Sequence, residues 1–408
     1  MSEQLRTLPL WLPGYLRQTP APLPEGVKDV MLCVCDHFEP LHRADKPEAL
    51  RRMAAWKTEF PKNIAPFRDA DGIRPRHTCF YPIEQYDPDL LDDCAELCRA
   101  SGAEVEVHLH HDRDTEQTLR AKLVQGIADF TRHGFLPRDA TGRTRWGFVH
   151  GDWALDNSHP DGAQCGVSNE LSLLRELGCY ADFTLPSCPD VTQTRTINRL
   201  CYAQDTPSPK SHDTGVQVRV MKSPVALAAS PSLPQRGGEG RGEEGRLVDG
   251  QGTPLPSPLP ARASQGEGAD TPAFGDLLIV QGPLGLNWER RKLGFLPRVE
   301  NSDLTAVNPP RPDRMRVWLR QHIHVLGRPE WIFVKLHCHG GPPPNSGVFL
   351  GEPYRKFHQH LAETYTEAKG WRLHYVTARE LVNILHAAEE GHSGNAGQFR
   401  DHRYKLPG

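Results

Sequence analysis

Residues 104–112 read EVEVHLHHD: a β-rich run, Glu104–Val107, followed by His108, His110, His111 and Asp112. In a strand, residues two apart share a face, so His108 and His110 point the same way. Three other stretches follow the same plan. Val30–Cys35 leads into Cys35-Asp36-His37-Phe38-Glu39, Arg145–Val149 into His150-Gly151-Asp152-Trp153, and Trp331–Leu336 into His337-Cys338-His339-Gly340. Each apolar run reads as a buried strand, and each polar cluster closes one. Metal-ligating side chains at the carboxyl ends of several parallel strands are how an α/β barrel builds an active site.

Outward from these four stretches, strand and helix alternate. Pro47–Phe60 carries Leu50, Met53, Ala54 and Trp56 at helical spacing, and His77–Tyr81 reads as a strand leading into Pro82-Ile83-Glu84-Gln85-Tyr86. Helices are predicted over Asp87–Arg99, closed by Gly102, and over Thr115–Arg132. Ser168 stands where an N-cap for Asn169–Leu177 would stand, with Gly178 as the stop. Tyr180–Leu185, Val216–Met221, Leu277–Val280 and Trp371–Val376 read as strands, and Tyr354–Lys369 and Ala378–Glu389 as helices. Such alternation predicts a parallel sheet with outer helices. The clusters at strand ends favour a distorted or incomplete (β/α) barrel of about seven strands. No G-x-G-x-x-G follows a strand and no P-loop occurs, which argues against a nucleotide site.

Residues 223–272 break the pattern. Proline, glycine, arginine and glutamate dominate there, with too few large apolar residues to offset the entropy of ordering. They read as a disordered insertion inside one barrel domain spanning 30–390. Residues 1–29 form an N-terminal arm before it, and the polar segment 391–408 is expected to be a mobile tail.

A net charge of −3 over 408 residues gives no basic stripe for nucleic acid. The mean hydropathy of −0.56 and the lack of a long apolar run predict no membrane span. MSEQLRTLPLWLPGYLRQ has no basic segment followed by an apolar one, so a cytoplasmic protein is expected. Cys33, Cys35, Cys94, Cys98 and Cys179 lie in or beside apolar runs, as buried free thiols do. Neither Cys33/Cys35 nor Cys94/Cys98 has a second pair at zinc-ribbon spacing, which argues against a structural zinc site.

The metal-ligand candidates are Asp36, His37, His108, His110 and Asp112. One carboxylate with two imidazoles leaves positions open for water and substrate, as catalytic zinc requires. Asp36, His337 and His339 are the candidates for proton transfer. Glu84, His150, Asp152 and Trp153 are the candidates for substrate contact, since tryptophan beside polar groups suits a sugar ring.

This arrangement resembles the NodB-type polysaccharide deacetylase superfamily, over Val30 to Ala388 without the insertion. Val34-Cys35-Asp36-His37 corresponds to its first motif, His108-Leu109-His110-His111-Asp112 to its second, and Val334-Lys335-Leu336-His337 to its last. The helix-glycine-strand approach to the third motif is similar to Leu173–Phe183 and Pro186. The family's Asp-Asp pair stands here as Cys35-Asp36 or Asp36-His37, and Asp112 replaces its second motif histidine. If Asp36 is the metal ligand, Cys35 takes the place of the base; if Asp36 is the base, His37 takes the metal. The resemblance implies a hydrolase that uses a divalent metal, zinc by preference, to remove N- or O-acetyl groups from a polysaccharide or oligosaccharide precursor. Two alternatives stay open. One is a glycoside hydrolase drawing a carboxylate pair from Glu39, Glu84, Asp112 and Asp152. The other is a carbohydrate-binding homologue without chemistry.

Overall fold

The computed structural model describes residues 3–18, 22–221 and 275–407. The segment 223–272, expected as a disordered insertion, lies outside the described residues. Met1–Met221 and Pro272–Gly408 group as one compact unit.

Parallel pairing spreads from β1 (Lys28–His37). Along one side, β12 (Trp331–Cys338) pairs from Asp29 to Asp36; on the other, β13 (Trp371–Val376) takes the first half and β2 (Thr78–Pro82) the end. The parallel ladder continues through β3 (Glu104–Leu109), β4 (Trp146–His150), β5 (Cys179–Asp182) and β8 (Leu277–Val280). Then β6 (Leu200–Ala203) joins β8 antiparallel and carries β7 (Val216–Gln217), while β11 (Asp303–Leu304) lies parallel on β12. A separate hairpin pairs β9 (Gly285–Lys292) with β10 (Leu296–Glu300). The fold is therefore mixed α/β with a large, mostly parallel sheet, as the alternation predicts.

Both faces of β1 are buried, as expected for a strand inside a parallel sheet. Met31, Cys33 and Cys35 pack with Phe80, Val149, Phe183 and Phe333 on one face. Val30, Leu32 and Val34 pack on the other with Met53 and Trp56 of α2 (Lys46–Ile64) and Leu90 and Leu91 of α3 (Pro88–Ser101). With a period of two, this register decides which polar residues at the strand end can meet.

Polar caps set the helix starts. Asp45 accepts the Glu48 N–H of α2, Asp87 accepts the Asp89 and Leu90 N–H of α3, and Thr377 with Glu380 closes a capping box on α9 (Ala378–Glu389). Gly102 ends α3 at φ 75°, a conformation that favours glycine. Thr115 caps α4 (Glu116–Arg132). The predicted Ser168 cap is not used. Its Oγ accepts instead from Asn157 Nδ2, and α5 (Glu170–Glu176) begins after Asn169 without a side-chain cap.

Both terminal segments pack against the rest of the unit. The N-terminal arm contains a helix, α1 (Glu3–Arg17), whose Trp11 is buried against Cys188, Ile197 and Leu284. Residues 391–407, expected as a mobile tail, are tied down. Arg400 pairs with Asp69, Asp71 and Glu380, and Asn383 donates to the carbonyls of Arg400 and Tyr404. Part of the tail's polar composition serves these ion pairs, while Asp401 and Lys405 stay exposed. All ten cysteines are free thiols. Among the described residues, no helix is long and apolar enough to cross a membrane.

Candidate metal centre at the strand ends

Because β1 to β5, β12 and β13 are parallel, their carboxyl ends share one edge, and the polar clusters converge there. His37 is on the same face as Cys35. Its ring centroid lies 4.9 Å from His108, 4.5 Å from His339 and 6.4 Å from His337. Trp153 stands 6.3 Å from His37 and 5.9 Å from His339. Thus β1, β3 and β12, together with the loop after β4, supply one group.

A carboxylate organises it: Glu39. Its Oε1 lies 3.4 Å from His108 Nε2 and 3.1 Å from His110 Nε2. The two imidazoles meet it from one side, as their spacing predicts, with ring centroids 4.5 Å apart. Each is oriented by a partner behind it. His108 Nδ1 donates to the Val149 carbonyl at 2.7 Å, and His110 Nδ1 bonds Glu84 Oε1 at 2.7 Å. Gly151 makes room: a Cβ there would stand 2.5 Å from His110 Cδ2 and 2.7 Å from its Cα. The need for glycine at 151 is therefore one of close approach.

Electrostatics follow the geometry. Burial alone would raise the Glu39 carboxyl, but His108 and His110 outweigh it and hold the group below the usual carboxylate range. Burial likewise lowers His110, but Glu39 and Glu84 overcome that and raise it to about 10. Burial keeps His37 and His337 well below their ordinary value, reinforced by neighbouring positive or imidazole groups. His339 is lowered by the same burial. Burial thus disfavours charge on His37, His337 and His339, while His108 and His110 favour charge on Glu39.

The metal test is met at Glu39, His108 and His110, whose ligand atoms lie within 4.8 Å of one another. With Nδ1 carrying the proton given to Val149, His108 Nε2 is a bare lone pair. It is buried, has no hydrogen-bond partner among the described residues, and faces a carboxylate oxygen. Two electron-rich atoms facing each other out of water fit a cation between them.

Two predicted ligands are elsewhere. Asp36 sits on the helix-facing side of β1, one residue out of phase with His37. Its carboxylate accepts the Gly340 N–H at 2.6 Å and pairs with His77 Nε2 at 2.9 Å. That binding arrangement ties it to a different trio, Asp36, His77 and Cys338. Asp112 is exposed and accepts the Gln164 N–H at 2.6 Å. The histidine stretch has left the strand by that point, so a spacing of four no longer returns to the same face.

The predicted substrate residues also divide. Glu84 braces His110, and Trp153 lines a cleft of about 400 Å³ with His337 and His339. Asp152 is exposed beside it. His150 is fully buried and turns toward His111, Cys165 and Glu170. Sequence reading placed Glu39 only among alternative carboxylates. Its position two residues beyond His37, in the turn leaving β1, was the available signal. No family model matches the chain, and no curated protein matches it.

Proposed function

We propose that the protein is a metal-dependent hydrolase that removes N- or O-acetyl groups from a polysaccharide or oligosaccharide precursor. The observation that carries this reading is the open trio of Glu39, His108 and His110 beside a cleft with an aromatic wall. Glu39, His108 and His110 would hold the ion, and His37 and the cleft side would face water and substrate. A divalent metal, zinc by preference, supplies Lewis-acid polarisation of an acetyl carbonyl and makes water more acidic.

The chain's own residues do the rest. His37 Nε2, buried and without a hydrogen-bond partner among the described residues, accepts the proton of the attacking water. His339, which borders both the cleft and Glu39 and stands 4.5 Å from His37 between ring centroids, relays the proton taken by His37 to the leaving nitrogen or oxygen. The scissile C–N or ester C–O bond breaks, the new C–O bond forms, and acetate leaves. Trp153 supports a sugar ring, and Asp190, Asn301 and Asp303 supply polar contacts along the same cleft. His337 lies at the inner end as a neutral positioning imidazole.

The sheet is read as a distorted or incomplete barrel. The Leu185 carbonyl, beyond β5, accepts from both Gly282 N, beyond β8, and Lys335 Nζ of β12. That contact brings together strands from distant parts of the pairing order, which supports curling.

The test is elemental analysis of wild type and of a His108→Ala/His110→Ala variant, with acetate release from acetylated oligosaccharides. One metal equivalent fewer in the variant, with acetate release down at least ~100-fold, is the expected result. Equal metal content in the two proteins sinks the ligand assignment. New reducing ends instead of acetate would favour the glycosidase.

A further inference from the structure

A second group of ligand side chains lies apart from the cleft and plays no part in the reaction above. His111 follows β3, His150 ends β4, Cys165 lies in the loop after it, and Glu170 opens α5. Their ligand atoms lie within 4.8 Å of one another, and all four residues are buried. We propose that His111, His150, Cys165 and Glu170 form a closed structural zinc centre that pins the 151–169 loop and α5 to the sheet.

The spacing fits. Zinc bonds of about 2.0–2.3 Å in a tetrahedron place ligand atoms about 3.3–3.7 Å apart. Glu170 Oε1 lies 3.2 Å from His111 Nε2 and 3.5 Å from His150 Nε2, and Glu170 Oε2 lies 3.6 Å from Cys165 Sγ. Hydrogen bonds account for only part of this. His150 Nδ1 donates to the Gly151 carbonyl at 2.5 Å, so Nε2 of the neutral ring carries no proton. That bare nitrogen is fully buried, has no hydrogen-bond partner among the described residues, and points at an oxygen of Glu170. Two lone pairs held face to face without water require something positive between them.

His111 Nδ1 lies 3.1 Å from Asp114 Oδ2, a charge contact outside hydrogen-bond geometry. Glu170 Oε2 accepts the Asp156 N–H at 2.6 Å. Cys165 Sγ accepts the N–H groups of Asn157 at 3.3 Å and Val167 at 3.5 Å, and its thiol is directed at Glu170 Oε2 at 3.6 Å, where a metal would replace the proton. On binding, the thiol releases one proton and forms a metal–sulfur bond, with no change of oxidation state. Two nitrogens, one sulfur and one oxygen complete four-coordination with no place for substrate, which separates this centre from the open trio.

The test uses the full-length protein, stripped of metal and reloaded with Co²⁺, and read by absorption. A near-ultraviolet thiolate-to-cobalt band is expected in wild type. It should persist in a Glu39→Ala/His110→Ala variant and be absent from Cys165→Ser. Zinc analysis should show one equivalent less in Cys165→Ser than in wild type. Cobalt bound to wild type without the thiolate band overturns the proposal, and this outcome needs no variant to fold. Equal zinc in wild type and folded Cys165→Ser overturns it too. The open trio can fail its own test while the band remains, so the two assignments stand or fall separately.

Discussion

His110 and His111 are neighbours in sequence and belong to different chemistry. His110 joins Glu39 and Glu84 at the cleft, half-buried; His111 joins His150 and Glu170 where no side chain of the group reaches solvent. Both groups put imidazole nitrogens against a carboxylate. What differs is the space left over. The first borders a cleft and neutral imidazoles not used as ligands, so it has room for a reaction. The second has four donors and no access, so its product is rigidity. Ligand count and burial, more than residue type, separate the two.

Four changes bear on this contrast, taken from the largest expected effect. Glu170→Ala removes the carboxylate that bonds His111, accepts the Asp156 N–H and faces His150. A loss of ~3–5 kcal/mol in urea unfolding is predicted, against less than ~1 kcal/mol for a charge-removing change at exposed Glu84. Equal losses would erase the distinction between the centres.

Gly151→Ala comes next. The added methyl meets His110, so metal affinity at the open trio should fall ~10–100-fold while unfolding shifts by ~1–3 kcal/mol. A variant with wild-type metal binding would show that His110 has another place to stand.

The third concerns pH. Asp182 braces the sealed group through Thr184, whose hydroxyl donates to Asp182 Oδ2 at 2.7 Å and accepts the His150 N–H at 2.9 Å. Burial pushes its carboxyl from 3.8 up to about 7, despite the Thr184 bonds. The folded state thus holds a proton that the unfolded chain has lost. Its contribution is full below pH 3.8 and is lost as pH rises to about 7. Asp182→Asn should flatten the stability profile across that window, by a few kcal/mol at most (order of magnitude), in urea titrations at matched pH.

The smallest effect is expected at Asp112. Asp112→Ala should leave metal content unchanged and alter stability by less than ~0.5 kcal/mol. Loss of metal would restore it as a ligand and undo the assignment to Glu39.

The strands were legible because both faces of a parallel sheet are apolar: Leu277–Val280 and Trp371–Val376 have the predicted bounds, and Trp331–Leu336 extends by only two residues. The hairpin of β9 and β10 was not, since GLNWERRK is polar and mostly half-buried or exposed. Within the site, pairs on one strand were legible: His108 with His110, and His337 with His339. The carboxylate was misplaced because it comes from the turn after β1. There the period of two has ended, and Asp36 is held on the other face. The sealed group was harder still. Cys165 has no cysteine partner at a recognisable spacing, and Glu170 reads as an ordinary acidic first residue of a helix.

The 151–169 loop contains five non-glycine residues with left-handed backbone: Asp152, Trp153, Asp156, Asn157 and Gln164, at φ 52° to 64°. An ion held beneath such a loop could leave only when the loop itself opens. Its exchange rate with isotopically labelled zinc would then measure how often that segment lets go, a clock for local opening, whereas an ion at the trio beside the cleft would exchange without it.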